Sequence, residues 1–106
     1  MHSQGVMTNV KHFVVNNQET NRNDVDSHVD ERSLFEIYYP PFKAAIEAGV
    51  SSAMCAYNLV NGAPACGQSE TLLTDLRVRM GFDGWVMSDW KALKNDSFLQ
   101  LSLIHI

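Results

Sequence analysis

The sequence predicts an α/β architecture of about three parallel strands joined by two helical segments, and three observations carry that prediction. Short apolar runs recur in the stretches 5–15, 50–56 and 85–87. Helical patterns with polar starts and glycine stops lie between them. Each run carries a polar tip: Lys11-His12, Tyr57-Asn58 and Ser88-Asp89. Strands alternating with helices imply parallel pairing through right-handed crossovers. The C-terminal strand ends then share one face, where open α/β sheets and barrels hold ligands.

Taken in order, residues 5–10 are moderately apolar and Phe13-Val14-Val15 strongly so, with Lys11 and His12 interrupting or ending the strand. Residues 16–27 are polar, with four Asn, and read as a long loop, a kind of segment that often carries function. Asp30 is the expected N-cap of a helix presenting Leu34, Ile37 and Tyr38 on one face. Pro40-Pro41 breaks it, and Pro41 begins a second helix with Phe42, Ala45 and Ile46 inward. Gly49 supplies its stop. Residues 50–56 form the second strand, and Asn61-Gly62 with Pro64 marks a turn and loop. Ser69 caps a helix bearing Leu72, Leu73, Leu76 and Met80 on one stripe, ended by Gly81. Asp83-Gly84 then opens a buried strand, Trp85-Val86-Met87, with Ser88 and Asp89 at its end.

The 106 residues, 45% hydrophobic and 19% charged, belong with globular chains rather than disordered ones. A net charge of −4 leaves no basic footprint for nucleic acid. No apolar run approaches the roughly 20 residues of a membrane span, and no signal peptide is visible at the N-terminus. The glycines fit neither a dinucleotide nor a P-loop pattern, and no residues stand at metal-ligand spacing. No cofactor and no metal are therefore expected.

The residue types leave several chemistries open. Asp89 suits a nucleophile, a general base, a metal ligand or a helix cap. Lys11 at a strand end suits a Schiff base. Arg22 is either a solvated loop residue or a clamp on an oxygen-rich ligand. Trp90 is a core residue or a stacking platform for a sugar face, and Met54 and Tyr57 can be ordinary core residues. His12 gains weight from its strand-end place beside Lys11.

Five motifs, in order and spacing, bear a resemblance. They are Lys11-His12-Phe13; the run from Asn16 to Arg22; Val29-Asp30-Glu31-Arg32 with Glu36-Ile37-Tyr38; Ala53-Met54-Cys55-Ala56-Tyr57-Asn58 with Asn61-Gly62; and Gly81-Phe82-Asp83-Gly84 running into Met87-Ser88-Asp89-Trp90. Together they resemble glycoside hydrolase family 3, the β-glucosidase and β-xylosidase group, from about Val10 to Ala92, which implies that residues 1–92 are a fragment of its N-terminal catalytic barrel. The resemblance implies a partial (β/α)8 TIM-type barrel and an exo-acting, retaining hydrolysis of β-linked glucosides, xylosides or oligosaccharides. By motif position it implies Asp89 as catalytic nucleophile. Lys11, His12, Arg22 and Tyr57 become contacts to sugar hydroxyls, with Met54 and Trp90 lining the subsite. It implies cis peptide bonds around His12, and export to a secreted or periplasmic location. Cys55 and Cys66 fall where secreted members often carry cysteines, so a bridge from strand end to loop stands against two buried thiols.

The family's acid/base Glu and its first barrel strands have no counterpart in this sequence. The expectation is an internal fragment, inactive alone; the rival expectations are an inactive sugar-binding homologue and a Schiff-base lyase using Lys11. Residues 93–106 are unmatched, and residues 101–106 resemble the translated end of a transposase-type sequencing adapter.

Overall fold

A computed structural model describes residues 2–93; the expectations for the tail, including residues 101–106, lie outside them. The strands are β1 (Asn9–Phe13), β2 (Asp26–Ser27), β3 (Ser52–Cys55), β4 (Leu59–Val60), β5 (Ala63–Pro64) and β6 (Trp85–Ser88). β1, β3 and β6 form one parallel sheet in that order. Spatial order follows chain order, so right-handed crossovers place both helical layers on one face, as in a barrel wall. A doubly wound sheet would reverse direction instead.

The two faces differ as that arrangement requires. Val10, Ala53 and Val86 are paired across the sheet and sink into the core under the helices. The alternate residues Lys11, Met54 and Met87 are also paired and remain exposed or half-buried. That open face corresponds to the interior of the barrel.

The strand β1 runs through Lys11 and His12 rather than stopping at them. Phe13 pairs with Cys55 where regular register would place His12, so His12 is the extra residue of a bulge. The Lys11-His12 and Phe13-Val14 peptide bonds are cis. Phe13 is anchored below, stacked on Tyr39 at 5.6 Å and edge-on to Phe42 at 5.0 Å.

Asp30 caps its helix as expected, accepting from the Ser33 amide at 2.9 Å and the Ser33 hydroxyl at 2.7 Å. These bonds hold its carboxyl below the ordinary value. After Glu31–Ser33 the chain widens into π-type turns over Leu34–Tyr38, with the Tyr39 amide reaching back to the Leu34 carbonyl. The wider turn changes the phase of the apolar stripe. Ile37 is therefore 64% exposed instead of inward, and Tyr39 is buried. The next helix spans Pro40–Glu47, one residue earlier than expected, with Phe42, Ala45 and Ile46 half-buried on its inner side. Gly49 follows it with φ of 84°.

The same widening governs Glu70–Arg79. Ser69 makes no side-chain cap bond, and Leu73 is only half-buried. Thr71 and Asp75 are buried in its place, beside Leu72 and Leu76. The Tyr39 hydroxyl donates to Asp75 at 2.7 Å, tying the two helical layers together. Burial first, and then this bond, push the Tyr39 phenol well above its ordinary value.

The stretch expected as a loop around Asn61-Gly62 is a β4–β5 hairpin whose two turn residues have φ of 50° and 89°. Positive φ at both positions suits Asn-Gly, and it twists the arms correctly. β2 pairs parallel with β4, so the long polar loop is pinned at its far end. Cys55 and Cys66 are joined in a disulfide from the end of β3 to the turn after the hairpin, and both are buried. In the full-length protein, replacing both by alanine is expected to cost about 3 kcal/mol for a loop this short. A urea unfolding midpoint unchanged in the double variant would show that the bridge contributes nothing.

Candidate functional site

Hydrogen bonds continue the ladder beyond the strands. The Ala56 amide donates to the Phe13 carbonyl at 2.8 Å, and the Asp89 amide donates to the Cys55 carbonyl at 3.3 Å. The ends of β1, β3 and β6 therefore stand side by side, carrying His12, Tyr57 and Asp89. β6 can enter this line because Gly84 has no side chain: a Cβ there would meet the Ser51 carbonyl. Arg77 holds that entry, donating to the carbonyls of Phe82 and Gly84 with its guanidinium over the Phe82 ring.

The Asp89 carboxylate is the focus. It is 8% exposed, which is costly for an ionised group without partners. His12 Nε2 lies 3.1 Å from Oδ2. An ionised carboxylate only accepts, so that nitrogen carries the hydrogen. The Trp90 amide donates to Oδ1 at 2.7 Å. One oxygen is thus held by backbone, much as in a cap, while the other faces His12.

The Tyr57 hydroxyl stands near the Asp89 carboxylate. Its phenol is pushed up by burial, then by that neighbouring carboxylate, with Arg22 opposing. The Arg22 guanidinium lies over the Tyr57 ring, 5.1 Å from its centre. Arg22 also pairs with Glu19 at 3.0 Å, an exposed contact of little energetic weight. The loop turns back at Asn21 (φ 53°), whose carbonyl accepts from the Asp24 and Val25 amides.

His12 and Asp89 are thus in direct contact with Tyr57 beside them, and Arg22 reaches the group through Tyr57. Trp90 supplies its amide, but its indole is 83% exposed. With Arg22, Asp24, Tyr57 and Lys91 it lines a cleft of about 410 Å³. Lys11 and Met54 stand apart from this contact group, level with each other on the open sheet face. Lys11 instead lines a separate cleft of about 310 Å³ with His12, Asn16 and Tyr38. Asn58, expected as a polar strand tip, is fully buried and bonded to the turn after β1. Its adjacency to Tyr57 was the only signal.

What the arrangement offers is a buried, oriented carboxylate held by His12 and the Trp90 amide, next to a cleft that Tyr57 and Trp90 line. That is the equipment of an oxygen nucleophile or general base directed at a neutral, hydroxyl-rich ligand.

Comparison with known proteins follows the same line. The family model described as the glycosyl hydrolase family 3 N-terminal domain matches residues 1–100. Beta-glucosidase cel3A of Pyricularia oryzae is 47% identical over 85% of this chain and 12% of its own. An exo-alpha-(1->6)-L-arabinopyranosidase of Bifidobacterium longum is 50% identical over 85% of this chain and 12% of its own. The crystal structure of DesR, a beta-glucosidase from Streptomyces venezuelae in complex with D-glucose, superposes with a TM-score of 0.91 at 49% identity. It covers 96% of this chain and 13% of that one. The chain thus spans about an eighth of the length of these relatives.

Proposed function

Because the chain belongs to glycoside hydrolase family 3, within its N-terminal, TIM-barrel-type domain, we propose that its carboxylate cluster is the nucleophilic half of a retaining, exo-acting β-glycosidase site. The observation that carries the reading is the convergence of His12, Tyr57 and the Trp90 amide on Asp89. It occurs at strand ends where barrel enzymes place their chemistry.

In this reading Asp89 attacks the anomeric carbon. A bond forms between its carboxylate oxygen and that carbon as the bond to the leaving oxygen breaks. A carboxylic acid protonates the leaving oxygen; the two carboxyl groups of a retaining enzyme stand about 5–5.5 Å apart. That acid is assigned to the remainder of the protein, so residues 1–106 alone are expected to be inactive. Water then attacks the anomeric carbon of the glycosyl–Asp89 ester and gives its proton to the carboxylate left by the acid, restoring the original configuration and freeing Asp89. Arg22, His12, Lys11 and Tyr57 hold sugar hydroxyls, and Met54 and Trp90 bound the sugar and its leaving group.

The substrate is a β-glucoside, xyloside or oligosaccharide, with glucose favoured by the glucose bound in the DesR structure. A pentopyranoside is the second reading, favoured by the identity to the arabinopyranosidase. Export to an oxidising compartment is supported by the Cys55–Cys66 bridge, since such bonds persist there.

The full-length protein treated with an activated 2-deoxy-2-fluoro-β-glucoside should carry the sugar on the peptide containing Asp89. Labelling on another carboxylate overturns the assignment. Glucose binding without labelling or turnover of aryl glucosides, xylosides or arabinosides would make it a sugar-binding homologue.

A further inference from the structure

The Asn58 side chain makes no contact with the Asp89 carboxylate, yet it touches the segments that deliver the groups around it. It is 0% exposed. Its Nδ2 donates to the carbonyls of Leu59 at 3.0 Å, Val14 at 3.2 Å and Val15 at 3.4 Å, and lies 3.5 Å from the Ser27 hydroxyl. That hydroxyl itself donates to the Val15 carbonyl at 3.1 Å. The nitrogen end is therefore surrounded by acceptors, while Oδ1 is buried without a hydrogen-bond partner among the described residues.

The partners outside its own turn belong to two other arms of the site. Val14 and Val15 follow the bulge that aims His12, and Val15 turns the chain off the sheet with φ of 59°. A turn there takes both carbonyls away from the strand ladder, so a side chain must satisfy them. Ser27 closes the loop that carries Arg22 and ends β2, paired with Val60 of β4. Asn58 itself follows Tyr57 directly. One buried amide thus fastens together the three stretches that supply His12, Arg22 and Tyr57.

We propose that Asn58 is a positioning residue that holds His12, Arg22 and Tyr57 in register around Asp89. This rests on the glycosidase reading above. An apolar residue at 58 would pack there but leave the carbonyls at the end of β1 without this donor. The loop and the bulge would then drift relative to Asp89, and displacements of about 1 Å matter greatly at a reacting centre.

The test uses the full-length protein and three variants: Asn58→Ala, Ser27→Ala and Val60→Ala. Val60 is equally buried two residues on, and its side chain is wholly apolar; its polar contacts are made by backbone that alanine keeps, so it controls for lost packing stability. With an aryl β-glucoside well below every Tm, Asn58→Ala is expected to lower kcat/KM about 100-fold, mostly through kcat. Ser27→Ala, which removes one link of the network, should lower it about tenfold. Val60→Ala should lower Tm while leaving kcat/KM nearly unchanged.

Equal activity losses in Asn58→Ala and Val60→Ala would overturn the proposal, as would near wild-type turnover by Asn58→Ala. If Asn58→Ala does not fold, Ser27→Ala against Val60→Ala decides in the same way. A wild-type protein that turns over no glycoside would sink the reaction rather than the role of Asn58. Titration with glucose then decides: the proposal holds only if the Asn58 variant binds more weakly than the Val60 variant.

Discussion

Asp89→Asn in the full-length protein is expected to lower kcat for aryl β-glucosides on the order of 10⁴-fold or more, the usual consequence of removing a covalent nucleophile. The amide has the size of the carboxylate, and its oxygen can still accept from the Trp90 amide, so the strand end should keep its conformation. The loss would then be chemical rather than structural, and an unchanged Tm would confirm it. Asp89→Ala opens space on the same face of the sugar. Added azide should enter there and give the α-glucosyl azide, with inverted configuration. A β-glucosyl azide would mean that Asp89 is the acid/base instead, because a retained nucleophile would first have formed its own ester. Wild-type-like turnover by either variant removes Asp89 from the chemistry altogether.

The tips of the three strands were legible because each short apolar run ends in polar residues. Barrel-wall order followed, since successive parallel strands with right-handed crossovers have few other arrangements. The places that were not legible share a physical cause. Apolar stripes were phased at 3.6 residues per turn, whereas Leu34–Tyr38 and Glu70–Arg79 wind more widely. That error exposes Ile37, half-exposes Leu73 and hides the Tyr39–Asp75 bond, since both its members look like surface residues in a tighter helix. The Asn61-Gly62 turn was visible, but its arms are only two residues each, too short for any alternation to show. His12 illustrates the remaining limit. Its position near a strand end was readable, while the bulge that aims it belongs to strand pairing and has no local signature.

That bulge makes His12 the next most informative position. His12→Ala is expected to lower kcat/KM about 10²- to 10³-fold, the range for removing one preorganised donor at a reacting centre. The donor lies 3.1 Å from Asp89 Oδ2, and the carboxylate is nearly enclosed, so water replaces it poorly. The backbone should survive the change, because Phe13 beside it is locked between Tyr39 and Phe42 rather than held by the imidazole. His12→Gln separates orientation from mere occupancy: its amide nitrogen reaches about as far as Nε2 and can donate to the same oxygen. Partial recovery of kcat/KM in the Gln variant, with Tm equal in all three proteins, is the outcome the geometry requires. Should Gln be no better than Ala, the 3.1 Å contact is incidental, and His12 acts on the sugar alone.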